Sequence, residues 1–381
     1  MSDAVKTSVS FVVPCLNEAQ TLPEVLGRIN QVCADELGDR ETEVIVSDNG
    51  STDDSRSIAE SLGARVVECA MRGYGAALLA GIESAKCEAV VFADADNTYD
   101  FLEAGRLVTE LDKGYDFVVG SRLEGDIHPG AMPFMHRYVG TPVLNFLLNL
   151  LYARGGNRIT DCNSGFRCFR RESFLDWDVR STGMEFASEM LVKALKSEAR
   201  ISHVPISLYP DKGDRAPHLQ RWRDGMRHLL QIFFDSPEFF FTSGTVAFFA
   251  SWLVLLLGLF VGPVGIGGIW VFGLHSMMFG LLGSLFGIAI WSVGLFLSAR
   301  VPSRVRTYRY LIALPEDKLF WYSVVLLLFS FVMFGAVVVY WGVKGFRLIE
   351  IERQTLAIIA FGTNSLVFVS NVVTAHLLKR S

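Results

Sequence analysis

The chain has 381 residues, a net charge of −5 and 51% hydrophobic residues. That length suggests two or more domains, and the mild acidity, with no basic nucleic-acid module, gives no ground for expecting a nucleic-acid partner. The hydrophobicity is uneven, which argues against a uniformly soluble protein: charges occur throughout up to about Pro210, and four long apolar runs follow.

The first residues, MSDAVKTS, are polar and carry no apolar signal-peptide core. Val9–Val13 is a β-branched and aromatic run ended by Pro14, and it predicts a strand. Helical periodicity covers Ala19–Val32. Val44–Ser47 predicts the second strand, and Asp48–Asn49–Gly50–Ser51 has the composition of a turn. Further helices are expected over Asp53–Leu62, Tyr74–Ser84 and Phe101–Lys113, and further strands over Arg65–Glu68, Ala89–Ala93 and Phe117–Gly120. This alternation implies an α/β domain with a mostly parallel sheet covered by helices. Such sheets bind ligands beyond the carboxyl ends of their strands. Polar residues collect there: Asn17 and Glu18 after the first strand, Asp48 after the second, Asp94 and Asp96 after the fourth, Ser121 and Arg122 after the fifth.

The first turn reads PCLNE, and neither G-x-G-x-x-G nor G-x-x-x-x-G-K-[ST] is present, so neither a dinucleotide fold nor a phosphate loop is expected. Cys15, Cys33, Cys69, Cys87, Cys162 and Cys168 form no C-x-x-C pair, and no histidine completes a zinc pattern. They read as small apolar residues of a reducing compartment.

The stretch VVFADADNTYD stops an oily strand and at once places two carboxylates. Residues two apart in extended backbone point the same way, so Asp94 and Asp96 can converge on one point. Close carboxylates raise each other's pKa unless a cation sits between them. Mg²⁺ or Mn²⁺ suits such a pair, with substrate phosphates completing the coordination. The competing explanation is that Asp96 or Asn97 caps the helix that begins near Phe101.

Tyr138–Tyr152 is strongly apolar and fits either an interfacial helix or a core helix. Leu219–Phe234 mixes Arg221, Arg223 and Arg227 with Trp222, Phe233 and Phe234, which suits a membrane surface. The apolar runs then lie at about 243–261, 266–297, 319–343 and 355–377. Each is as long as a bilayer-crossing helix needs to be. Three regions are expected: a soluble domain over 1–217, a juxtamembrane segment over 218–241 and a four-helix transmembrane domain over 242–381. Lys212, Arg215, Arg221, Arg223 and Arg227 precede the first span, and Arg300, Arg304, Arg306, Arg309 and Lys318 occupy the second loop. That bias places the soluble domain and the C-terminus in the cytoplasm of a multi-pass membrane protein, in the inner membrane if the cell is bacterial.

Taken in order, VVPCLNEAQTL, VIVSDNGSTDDS, MRGYGAALLAGI, VVFADADNTYD, VVGSR, DCNSGFRCFRR and GMEFASEML resemble the family-2 glycosyltransferases. Within that family the motifs resemble the polyprenyl-phosphate branch typified by dolichol-phosphate mannose synthase. The resemblance covers roughly Ser8 to Leu230 and implies a nucleotide-diphospho-sugar transferase fold of the GT-A type, Rossmann-like, ahead of the membrane helices. It implies transfer of a hexose from a nucleotide-diphosphate sugar to undecaprenyl or dolichyl phosphate, with Mg²⁺ or Mn²⁺ and inversion, in contact with membrane lipids and in a possible homo-oligomer.

Carried over by position, Pro14, Asn17, Glu18, Asp48, Arg72, Gly73 and Gly75 match donor-nucleotide positions. Asn49 departs from the usual D-D-G-S. Asp94 and Asp96 match the metal and diphosphate pair, with Thr98 where some relatives add a Gln. Arg122, Arg137, Thr141 and Ser164 match acceptor-phosphate positions. Asp161, Gly165 and Phe166 complete the D-x-x-S-G-F signature, and Glu185 and Glu189 fall in the following helix. Asp96, Arg122 and Asp161 are the expected catalytic residues, with Asp161 or Glu185 as a base if one is used. Lys212 or Arg215 matches a basic loop over the diphosphate. Two other readings are a processive polysaccharide synthase, for which HLQRW has His218 in place of the expected Gln, and a non-enzymatic sugar-nucleotide-binding scaffold.

Overall fold

The computed structural model describes residues 6–211, 221–266, 269–298, 306–345 and 352–380. The chain separates into two compact units, Met1–Ile232 and Phe233–Ser381.

The first unit runs β1 (Val9–Cys15), α1 (Leu22–Asp35), β2 (Thr42–Asp48), α2 (Ser55–Ser61), β3 (Arg65–Glu68), α3 (Tyr74–Ser84), β4 (Ala89–Phe92), α4 (Ala104–Asp112) and β5 (Phe117–Ser121). It continues with α5 (Thr141–Tyr152), β6 (Arg167–Arg170), α6 (Arg171–Trp177), α7 (Phe186–Lys196), β7 (Ile201–Pro205) and α8 (Arg221–Phe234), whose last two residues belong to the second unit. The seven strands form one sheet in the order β3-β2-β1-β4-β6-β5-β7. β6 is antiparallel to both β4 and β5, and the other pairings are parallel. β4 and β5 therefore point the same way, and the carboxyl ends of β1, β2, β4 and β5 share one edge.

Alternation along the strands builds a core on each face. Phe11 and Val13 of β1, Val91 of β4 and Cys168 of β6 pack with α1 and α4 through Leu22, Ile29, Leu107 and Leu111. Val12, Phe92 and Phe169 point the other way, onto Leu78 of α3, Leu148 of α5 and Phe186 and Met190 of α7. α5 has two faces. Thr141, Leu144, Asn145, Leu148 and Tyr152 are buried, while Phe146 and Leu150 are 64% and 61% exposed. The two explanations of that apolar run are thus not exclusive. α8 is fixed to the same unit: Ser188 Oγ lies 2.8 Å from His228 Nδ1, and the Tyr152 hydroxyl donates to the Ile232 carbonyl.

The second unit comprises α9 (Pro237–Phe260), a hairpin of β8 (Val264–Ile266) and β9 (Ile269–Val271), α10 (Leu274–Ser298), α11 (Arg306–Ala313), α12 (Glu316–Val343) and α13 (Glu352–Arg380). Among the described residues four helices are long and apolar enough to cross a membrane: Pro237–Phe260, Leu274–Ser298, Phe320–Val343 and Glu352–Leu378. The run at 266–297 is therefore not all helix. Ile266 ends β8, Ile269–Val271 forms β9, and the helix begins only at Leu274. Gly244 and Gly287 let α9 and α10 approach so closely that a Cβ on either would meet backbone of the other helix at 2.5 and 2.6 Å. Asn364 and Asn371 of α13 donate to Ser284 and Ser292 of α10 at 2.9 and 2.6 Å. Small residues and interhelical side-chain hydrogen bonds of this kind hold helices together in lipid. α12 keeps Val325, Leu328, Phe331 and Val332 more than half exposed, as lipid-facing side chains require.

Candidate active site

On the β1–β2 side of the shared edge, hydrogen bonds tie several of the predicted nucleotide residues to the turn at residues 49–55. Pro14 sits in β1 beside Ser47. Asn17 adopts φ 59°, its Oδ1 accepting from Thr52 N at 2.8 Å and its own N–H donating to Ser51 Oγ at 2.9 Å. Glu18 is 9% exposed; its N–H donates to Ser55 Oγ, and Oε2 accepts from Thr21.

Asp48 is 1% exposed. Oδ1 accepts from Ser51 N at 3.0 Å, and Oδ2 from Gly50 N at 3.1 Å and Arg56 Nε at 2.7 Å. Burial opposes its charge, but the bonds from Ser51, Arg56 and Gly50 outweigh it and hold the carboxyl below its usual range. The carboxylate thereby organises the turn that follows β2.

Asn49, the departure from D-D-G-S, is explained by its neighbours. Nδ2 donates to Met71 O at 2.7 Å, and Oδ1 accepts from Gly73 N at 2.8 Å. Only an amide can do both. Arg72 lies over the same turn, Nη1 donating to Asn49 O at 2.5 Å. Gly73 has φ 144°, and a Cβ there would meet Thr182 O at 2.1 Å. At Gly75 a Cβ would meet Ser181 O at 2.4 Å. Both glycines are thus required for the approach of α3 to residues 181–183.

Next along the edge, Asp94 and Asp96 follow β4. Asp94 Oδ1 accepts from the Tyr74 hydroxyl at 2.8 Å. Asp96 Oδ1 accepts from Thr98 N at 3.0 Å and Thr98 Oγ1 at 2.6 Å. The helix cap is supplied elsewhere: Asp100 Oδ1 accepts from Leu102 N at 3.0 Å. That removes the capping explanation for Asp96. Burial and the Asp96 charge push the Asp94 carboxyl up to about 7, against the Tyr74 hydrogen bond and the nearby Arg122. Burial and Asp94 in turn raise the Tyr74 phenol well above its ordinary value, so it remains a donor. A buried carboxylate whose charge is disfavoured, with a second carboxylate beside it, is an environment that a divalent cation relieves. Among the described residues no cluster of three or more His, Cys, Asp or Glu side chains could hold a metal. The pair fits Mg²⁺ or Mn²⁺ completed by diphosphate oxygens and water, and Thr98 is a partner of Asp96 instead of a third ligand.

At the β5 end, Arg122 and Asp161 form one buried unit. Asp161 is fully buried and accepts from Arg122 N at 3.0 Å, Nε at 2.8 Å and Nη2 at 2.8 Å. Burial works against the Arg122 charge, but Asp161 overrides it and holds the guanidinium protonated beyond an ordinary arginine. Both Asp161 oxygens accept from Arg122, so the carboxylate fixes the orientation of the guanidinium. α5 stitches the Asp161 loop down from residues spaced four apart. Thr141 Oγ1 accepts from Asn163 Nδ2 at 3.4 Å, Asn145 bridges Thr160 O and Cys162 N at 2.6 and 2.8 Å, and Asn149 bonds both backbone groups of Ile159 at 2.8 Å. Ser164 is fully buried, accepting from Phe166 N at 3.3 Å, so it forms the turn and not a ligand surface. Gly165 lies against the aspartate pair, where a Cβ would meet Asp94 Oδ2 at 2.8 Å.

Arg137 lies over the Tyr138 ring at 5.4 Å. Glu189 accepts from Ser181 N at 2.7 Å and pairs with Lys193 at 2.8 Å, while Glu185 keeps a buried Oε2 without a partner. Lys212, Arg215 and His218 lie outside the described residues. Arg167 was not singled out from sequence. It is fully buried, donates to the carbonyls of Ser164, Cys162 and Ala187 at 2.9, 2.9 and 2.8 Å, and is lowered to about 10 by burial. The surrounding S-G-F-R was visible, but an arginine reads as surface until its partners are known.

The family model for glycosyl transferase family 2 matches residues 10–178. The chain is 36% identical over 296 residues to the low-salt glycan biosynthesis hexosyltransferase of Haloferax volcanii, covering 77% of this chain and 68% of that one. The chain belongs to glycosyltransferase family 2. The glycosyltransferase is also 30% identical over 213 residues to a dolichyl-phosphate hexose transferase of Haloferax volcanii, covering 54% of this chain and 85% of the relative. Among solved structures it is similar to glucosyl-3-phosphoglycerate synthase of Mycobacterium tuberculosis in complex with Mn²⁺ and UDP, at 24% identity and a TM-score of 0.48, over 60% of this chain and 79% of that one. Family membership and the mixed, mostly parallel seven-stranded sheet make the glycosyltransferase unit a Rossmann-like GT-A fold, and helices long enough to span a membrane follow it in the chain.

Proposed function

We propose that the enzyme transfers a hexose from a nucleotide-diphosphate sugar to a polyprenyl phosphate at the cytoplasmic face of a membrane, with inversion and with Mg²⁺ or Mn²⁺. The observation that carries the reading is the convergence, at one sheet edge, of the Asp94/Asp96 pair with the Arg122–Asp161 unit and the Asn17–Asn49–Arg72 cluster. The four membrane-length helices and the relative named for a dolichyl-phosphate acceptor support the lipid substrate.

In this reading the nucleotide lies against Pro14, Asn17, Glu18 and the turn that Asp48 organises, with Arg72, Gly73 and Gly75 bordering it. Lys212 and Arg215, on sequence alone, supply positive charge over the diphosphate. Asp94 and Asp96 would hold the cation, whose chemistry is to offset charge developing on the leaving diphosphate. An oxygen of the acceptor phosphate forms a bond to the anomeric carbon as the bond from that carbon to the diphosphate breaks. The nucleoside diphosphate leaves with the electron pair, and displacement from the opposite side inverts the centre. That oxygen is already anionic near neutral pH, so no proton has to be removed. Asp161 accordingly orients Arg122, which keeps Nη1 for phosphate, and Arg137 supplies a second guanidinium fork near Thr141. Phe134, Tyr138, Phe146 and Leu150, all more than half exposed, suit contact with lipid near that acceptor site.

The test is product identity. Membranes given radiolabelled nucleotide sugars and undecaprenyl or dolichyl phosphate are expected to yield a chloroform-soluble glycolipid sensitive to mild acid. A long polymer from the same incubation would establish a polysaccharide synthase instead.

A further inference from the structure

Each aspartate of the pair is engaged through one oxygen only. Asp94 uses Oδ1 for the Tyr74 hydroxyl at 2.8 Å. Asp96 uses Oδ1 for Thr98 N at 3.0 Å and Thr98 Oγ1 at 2.6 Å. Neither Oδ2 accepts a hydrogen bond among the described residues, and neither is among the buried polar atoms that lack a partner. Both are therefore accessible. Asp94 Oδ2 faces Gly165, where a Cβ would come within 2.8 Å of it. The clamps are themselves anchored. Tyr74 opens α3, and the next residue, Gly75, is pressed against Ser181 O, where a Cβ would sit at 2.4 Å. The Thr98 carbonyl accepts from Tyr209 N at 2.9 Å.

We infer that Tyr74 and Thr98 are positioning residues that restrict Asp94 and Asp96 to one coordinating oxygen each, and so select a small octahedral cation over Ca²⁺. The inference rests on the metal-dependent reading above and adds the origin of its ion preference. A carboxylate with one oxygen held by a fixed donor favours binding a cation through its other oxygen, and two such ligands leave positions for diphosphate and water. That suits Mg²⁺ and Mn²⁺, which keep near-octahedral geometry, whereas Ca²⁺ takes more oxygens and accepts bidentate carboxylates. Partners that orient metal ligands typically alter affinity by about 10- to 100-fold when removed. Tyr74→Phe frees Oδ1 of Asp94 completely. Thr98→Val removes one of two donors to Asp96, so its effect is the smaller.

The test is Mn²⁺ binding by electron paramagnetic resonance on the full chain in detergent, with UDP and separately with GDP, followed by displacement with Ca²⁺. Wild type is expected to bind Mn²⁺ and to resist Ca²⁺. Tyr74→Phe is expected to bind Mn²⁺ about tenfold more weakly and to narrow the Mn²⁺ over Ca²⁺ preference, with Thr98→Val intermediate. Should Tyr74→Phe fail to fold, Thr98→Val alone decides. Wild-type Mn²⁺ binding with unchanged affinity and unchanged Ca²⁺ competition in the folded variants overturns the inference and leaves the metal-dependent reading standing. Absence of nucleotide-linked Mn²⁺ binding in wild type overturns both.

Discussion

Replacing Asp161 by Asn tests whether the Arg122–Asp161 unit is the rigid centre of the acceptor side. The carboxylate is fully buried and takes three hydrogen bonds from Arg122, two of them at 2.8 Å. The amide can accept at one atom but presents a donor to the guanidinium at the other, and the Arg122 charge loses its counterion at 12% side-chain exposure. Breaking one side of a buried pair costs about 3–5 kcal/mol. At about 2–4 °C per kcal/mol for a unit of this size, unfolding of the catalytic unit should fall by roughly 6–20 °C. Arg122→Met should cost a similar amount, and the double variant no more than either single one, because no unpaired charge remains. The assay is thermal unfolding of the full chain by circular dichroism, with hydrogen exchange across residues 159–164 as the local readout. Additive losses in the double variant, meaning a coupling energy near zero, would refute the argument.

Two further substitutions probe the other ends of the site. Asn49→Asp removes the donor to Met71 O and sets two acceptors face to face; a stability loss of about 1–3 kcal/mol is expected, with weaker UDP or GDP binding by calorimetry, and unchanged values for both would show that the amide is dispensable. Glu189 is held below its usual range because, although burial opposes its charge, bonds from Lys193 and Ser181 outweigh it. A depressed carboxylate contributes stability above its unfolded value, about 4.3, and loses it as pH falls through the folded value. Wild type should therefore exceed Glu189→Gln in urea midpoint at pH 7 and converge on it toward pH 3; a gap that does not change with pH would contradict this.

Much of the sheet was legible because strands β1 to β5 are short apolar runs followed by turn chemistry. β6 and β7 were not, since RCFR is flanked by charge and ISHVP alternates weakly. The site was legible as a set of positions and less so as a set of roles. Asp48 and Asp161 look like ligand-facing acids in sequence, yet Asp48 Oδ2 accepts from Arg56 and both oxygens of Asp161 accept from Arg122, which stands 39 residues from Asp161. Such pairings are settled by tertiary contacts that no local pattern encodes. Asn145 and Asn149 offered a usable signal: amides four apart on an otherwise apolar helix share one face, and that face holds the Asp161 loop.

The central claim is that Asp94 and Asp96 hold the donor diphosphate through a divalent cation. Titration calorimetry of UDP and GDP, with and without Mn²⁺, on wild type and Asp96→Ala tests it most directly. The account predicts binding of at least one nucleotide that requires Mn²⁺ and is lost in a folded Asp96→Ala protein. Binding of equal strength without the cation, and in Asp96→Ala, would contradict it.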